Sequence, residues 1–92
     1  MATEMKNEDR LISKWIEPNP HKPGPAEALV LPHHVSVWAL IELWLLDGKD
    51  DRAVASQYDL PIEAVEAATR HYRRHKAEVD ARIERNNAFF AP

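Results

Sequence analysis

Residues 70–92 carry six basic and three acidic side chains, a local balance of +3, in a chain whose formal net charge is −3. Four of the basic groups, Arg70, Arg73, Arg74 and Lys76, fall within seven positions. Clustered cations of this kind can hold phosphate oxygens and are candidate DNA-binding residues, as backbone contacts rather than base readers. The same arginines also stand in Glu66–Arg70, Arg74–Glu78 and Glu78–Arg82 spacings. Such i,i+4 pairs are worth about 0.2–0.5 kcal/mol each on a solvated helix face. A bland solvated face and an acidic protein partner therefore compete with the phosphate reading.

Other reactive side chains point to no chemistry. His71 and His75 have the i,i+4 spacing that can chelate a metal, but no third ligand lies near them, so no metal and no cofactor is expected. His33 and His34 fall in a turn. The two glycines cannot build a phosphate-cradling loop, and Ser13, Ser36 and Ser56 lie in no nucleophile motif. No enzyme is expected. With no cysteine in the chain, a disulfide framework and thiolate metal sites are excluded. The charged first residues show no signal peptide, and "VSVWALIELWLL" is too short to span a bilayer. The expectation is a soluble, cytoplasmic protein.

The basic cluster must be positioned by "DRAVASQYDLPIEAVEAATRHYRRH", which has the form of helix, tight turn and helix. Ala55 suits a close helix crossing. Asp59 tolerates the left-handed turn conformation, and Val54, Tyr58, Leu60, Val65 and Ala68 can lock the pair. The outward positions of the second helix would be Ile62, Glu63, Glu66, Ala67 and Arg70, too acidic for ready base reading. That helix is expected to run unbroken from Pro61 to about residue 86, with Ile62, Val65, Thr69, Tyr72, Lys76, Val79 and Ile83 on one stripe. Asp50 or Asp51 caps the first helix.

Upstream, "SVWALIELWLLDGKD" reads as a helix capped by Ser36 and stopped at Gly48. Only Glu42 is polar in residues 37–46. A helix apolar nearly all round lies either between two sides of its own domain or against another subunit. "ALVL" and "VSV" predict two short extended segments or a hairpin. Residues 15–28 hold four prolines and form an extended arm. Residues 1–14 are polar and expected to fray. The predicted fold is thus mainly α: a helix-turn-helix-like three-helix core with a short N-terminal β-hairpin and a proline-rich arm. Residues 1–28 form tail and arm, 29–86 the domain, and 87–92 a C-terminal tail.

From "HHVSVWALIELWLLDGKD" through "RHKAEVDARI" the chain resembles the prokaryotic family catalogued as domain of unknown function 433. The elements that carry the resemblance are Val35-Ser36-Val37-Trp38, Gly48, Ala55, Tyr58, Leu60, Val65, and then Tyr72, His75, Val79, Asp80 and Ile83. The proline-rich arm also looks like that of one subgroup. Ser36 replaces the family's strand proline, and "LPHH" replaces its frequent Arg-Gly-Thr-Arg segment. The resemblance implies a VapB-like antitoxin of a toxin–antitoxin system. Such a protein binds and neutralises a PIN-like nuclease toxin, as a homodimer or a hetero-oligomer with the toxin, with promoter DNA as a further partner. The chain lacks the acidic α/β scaffold of the nuclease itself. Candidate partner-binding residues are the large anchors Trp15, Trp38, Trp44, Leu45, Phe89 and Phe90, with Arg82 and Arg85 as carboxylate-pairing groups. The alternatives are a stand-alone DNA-binding regulator and a bare dimerisation module.

Overall fold

The computed structural model describes residues 2–90, with side chains for residues 7–88. Within them the chain is mainly helical, with five α-helices and a small antiparallel sheet of three strands. The helices are α1 (Ala2–Trp15), α2 (Val37–Leu46), α3 (Asp51–Tyr58), α4 (Ile62–Arg74) and α5 (Lys76–Phe90). The strands are β1 (Ile16–Glu17), β2 (Leu29–Val30) and β3 (Val35–Ser36). Among the described residues no helix is long and apolar enough to cross a membrane.

Local chemistry explains where α2 and α3 begin and end. Ser36 is extended at the start of α2, though its side chain makes no capping bond. At the other end the Lys49 amide donates to the Trp44 carbonyl (2.7 Å) and the Gly48 amide to that of Leu45 (3.4 Å). This six-to-one and five-to-two pair is the Schellman stop, and it requires the positive φ of 72° that Gly48 supplies. The Asp50 carboxylate accepts from the Ala53 amide at 3.1 Å, capping α3 as its sequence predicts. Asp59 takes the left-handed conformation, φ 54° and ψ 49°, and Leu60 donates to the Ala55 carbonyl at 2.9 Å. The same stop motif thus ends both helices.

The hairpin expected from "ALVL" and "VSV" forms as β2 and β3, with Val30 opposite Val35. A third strand extends it. β1 pairs with β2, Ile16 opposite Val30, so the start of the proline-rich arm is tied into the sheet. The arm then makes a 3-10 turn at Pro25–Glu27, which buries Ala26.

The core lies where α2 crosses α4 and the sheet. Val30, Val37, Leu40, Ile41, Val54, Val65 and Val79 are fully buried. Burying a side chain of this size contributes about 1.5–3 kcal/mol. The apolar girth of α2 is accounted for in two ways. Its inner residues are covered by α3, α4, α5 and the arm, while its last turn leaves Leu45 and Leu46 open.

Two expectations need correction. Residues 2–15 do not fray but form α1, which packs along α4. The helix from Pro61 is not continuous. It breaks at His75 (φ −130°, ψ 37°), where the His75 amide donates to both His71 and Tyr72 carbonyls. The redirected α5 carries Val79 into the core and packs Ile83 against it. Tertiary packing therefore overrides a run of good helix formers.

Candidate functional site

α4 carries three of the four candidate basic residues, Arg70, Arg73 and Arg74. Val65, Ala68, Thr69 and Tyr72 form its inner side and are buried. Ala64, Ala67 and His71 form a second buried stripe, and Lys14–Glu63 (3.8 Å), Glu8–Arg74 (3.0 Å) and Asp9–Arg74 (2.7 Å) pin α1 along it. α1 therefore runs antiparallel to α4. What remains open on α4, besides Glu63 and Arg74 where they pair with α1, is a narrow strip of exposed Ile62, Arg70 and Arg73 with half-buried Glu66. Of the outward positions expected from sequence, Ala67 is fully buried and Glu63 is paired with Lys14.

The four basic residues do not act as one cluster. Arg70 and Arg73 are exposed. Arg74 is drawn to α1, and its two carboxylate partners, Asp9 first, raise its pKa further. Lys76 donates to Asp80 at 2.6 Å, which raises the lysine pKa and lowers that of the carboxyl. The Tyr72 hydroxyl also donates to Asp80 at 2.6 Å, and burial, followed by that bond, pushes the phenol up. Beside this knot a groove of about 470 Å³ is lined by Trp44, Leu45, Lys49, Asp51, Thr69, Tyr72, Arg73 and Lys76. Its three cations outnumber Asp51, whose carboxylate already accepts from the Trp44 indole at 2.7 Å. The groove can receive an anion, with Lys49 and Arg73 as its open donors.

His71 and His75 stack with ring centroids 4.7 Å apart. They are no chelating pair here, because His71 Nε2–H donates to the Pro25 carbonyl at 2.9 Å. Burial lowers the His71 pKa, the Pro25 carbonyl works against that shift, and His75 and Arg74 add to it. Among the described residues no group of three metal-ligating side chains occurs. His33, exposed as expected, donates to the Asp59 carbonyl at 3.0 Å, and His34 lies 3.1 Å from Glu17.

The candidate partner-binding residues divide. Trp44 is buried and meets Tyr72 edge-on, so it serves the interior. Arg82 is engaged within the chain: its guanidinium lies 4.1 Å over the Trp38 ring and donates to Glu27 at 2.7 Å. Trp15, the last residue of α1, is half-buried, its ring 5.1 Å from the Lys14 ammonium. Arg85 is exposed beside the arm. The side chains of Phe89 and Phe90 lie outside the described residues. Leu45 is 38% exposed, and Leu46, which sequence reasoning passed over, is 78% exposed. Leu46 lies on a second groove, of about 420 Å³, with Trp38, Ala39, Glu42, Leu43, Gln57, Tyr58 and Asn86. Burial, then Glu42, raises the Tyr58 pKa. The signal for Leu46 was present, since a wholly apolar helix end followed by Gly48 cannot be covered on every side.

Comparison with protein-family models, curated proteins and solved structures returned no match to this chain.

Proposed function

We propose that the chain is a small binding module of the antitoxin kind, which captures and silences a PIN-like nuclease through the open end of α2. The observation that carries this reading is the apolar surface left by Leu45 and Leu46 beside the groove of Trp38, Leu43 and Tyr58. An exposed leucine alone needs no explanation, but two in succession, the second on a groove that mixes Trp38, Leu43 and Tyr58 with Glu42, Gln57 and Asn86, fit an interaction site with an apolar centre and a polar rim. The resemblance to the domain of unknown function 433 family supports the choice of partner. The test is co-expression of the tagged protein with its genomic neighbour, followed by mass and stoichiometry of what elutes. A tight complex that is lost on Leu46→Asp supports the reading. Elution of the chain without its neighbour overturns it.

A second reading, DNA binding by a helix-turn-helix, draws on α3 and α4. Support comes from the left-handed Asp59 at their junction, from Ala55 at the crossing, and from exposed Arg70 and Arg73. Phosphate contact by these residues would weaken steeply with salt. Unchanged DNA affinity on Arg70→Glu/Arg73→Glu would remove this reading.

A further inference from the structure

We infer that α1 is a displaceable cover on α4, and that a DNA backbone lifts it by taking Arg74 from Glu8 and Asp9; the ligand half of this inference rests on the DNA-binding reading above. Position gives the first argument. α1 lies over the stripe of Ala64, Ala67 and His71, directly beside the open strip of Arg70 and Arg73. A groove wide enough for one helix cannot take α4 from that side while α1 is docked.

The second argument is how α1 is held. None of its described side chains is fully buried; Leu11, Ile12 and Trp15 are half-covered. The core cluster is built from the arm, the sheet and α2–α5, with Trp15 packed on its edge. The Trp15 indole N–H is buried yet has no hydrogen-bond partner among the described residues. Burying an unmet donor opposes docking. Beyond apolar contact, the attachment relies on the ion pairs of Arg74 with Glu8 and Asp9 and of Lys14 with Glu63, in which the Asp9, Lys14 and Glu63 side chains are 60%, 65% and 56% exposed. The exposed members of this set are weak and screened by salt; Glu8 and Arg74, at 25% and 34% exposure, remain in contact with solvent but are more sheltered. The third argument is charge. The carboxylates of α1 occupy, on Arg74, the place that phosphate oxygens would take.

The chain has no cysteine, so Ala67→Cys provides one thiol beneath the cover. Its reaction with a soluble disulfide reagent reads the lifting of α1. We expect slow reaction at low salt and acceleration of about threefold or more at high salt, as for a few screened pairs. Glu8→Gln/Asp9→Asn should give the same acceleration at low salt, and so should a duplex of arbitrary sequence. A thiol at Ala68→Cys, on the side towards the core, should stay protected throughout. Equal protection of Cys at 67 in all conditions overturns the cover, and so does release of both thiols together, which would mean global opening. A nitroxide on Ser13→Cys, an exposed site on α1, repeats the test without disturbing the packed stripe: its mobility should rise with Glu8→Gln/Asp9→Asn, and no change overturns the proposal. Fluorescence anisotropy of the labelled duplex separates the two failures. Binding without thiol release overturns displacement by DNA. No binding by wild type and variant alike removes the DNA reading, and with it the ligand half of the proposal.

Discussion

Trp44 and Trp15 sit on opposite sides of α4, and their indoles are treated differently. Trp44 is 6% exposed, donates to Asp51 at 2.7 Å, and meets Tyr72 at a centroid distance of 6.2 Å. Trp15 buries its N–H, which has no partner among the described residues, and carries the Lys14 ammonium over its ring. The difference extends to their surroundings. Around Trp44 both neighbouring helices end in the same stop motif, one is capped by Asp50, and the aliphatic side chains between them are fully buried. Along α1 the contacts are half-buried apolar groups, the exposed Lys14–Glu63 pair and the partly covered Glu8–Arg74 pair. The inner region is built to be unique; the outer one is held by small terms that solution conditions can change.

The largest effect should come from the inner region. Leu40→Ala, at a fully buried site between α2 and α4, should cost about 2–5 kcal/mol by chemical denaturation, whereas Leu46→Ala should stay within about 0.5 kcal/mol. Similar losses at both positions would break the contrast. The indoles give a sharper version. Trp44→Phe leaves the Asp51 carboxylate without its donor and should cost about 1–3 kcal/mol, while Trp15→Phe removes an unmet donor and should change stability by less than about 1 kcal/mol.

Much of the inner region was legible because its signals are local. Gly48, Asp50 and Asp59 each suit a particular backbone conformation by their own residue type, and these three, with Ser36, stand where the sequence predicted a boundary. α1 is masked in the sequence by its many charges, although Leu11, Ile12 and Trp15 lie on one helical face. The break at His75 has no local signal at all. It exists because Val79 must reach the core and because Arg82 must meet Glu27, a partner 55 residues away. For the same reason no spacing rule could show that Arg74 answers to Glu8 and Asp9, or that Arg82 and Trp38 are already engaged with one another. Of the candidate surface, Leu45 was visible from composition; the grooves that flank α2 arise from folding.

Smaller effects test the seam between the regions. His71 is held neutral by burial, below its ordinary pKa of 6.5. Between those two values the unfolded chain binds more protons than the folded one, so stability should fall as pH drops through 6.5 and be level above it. His71→Gln, which keeps a donor for the Pro25 carbonyl, should flatten that slope in denaturation at successive pH values. An unchanged slope would place the titration elsewhere. The smallest change is expected from Lys14→Ala, whose 3.8 Å pair with Glu63 is exposed on both sides. It should shift stability by less than about 0.5 kcal/mol, and less still in high salt.

Native-state amide hydrogen exchange tests the division between body and cover most directly. The account predicts that amides of residues 10–15 in α1 exchange through a local opening well below the global free energy, while those of residues 65–72 in α4 exchange only on global unfolding. Protection of α1 equal to that of α4, lost at the same denaturant concentration, would contradict it and make α1 part of a single cooperative core.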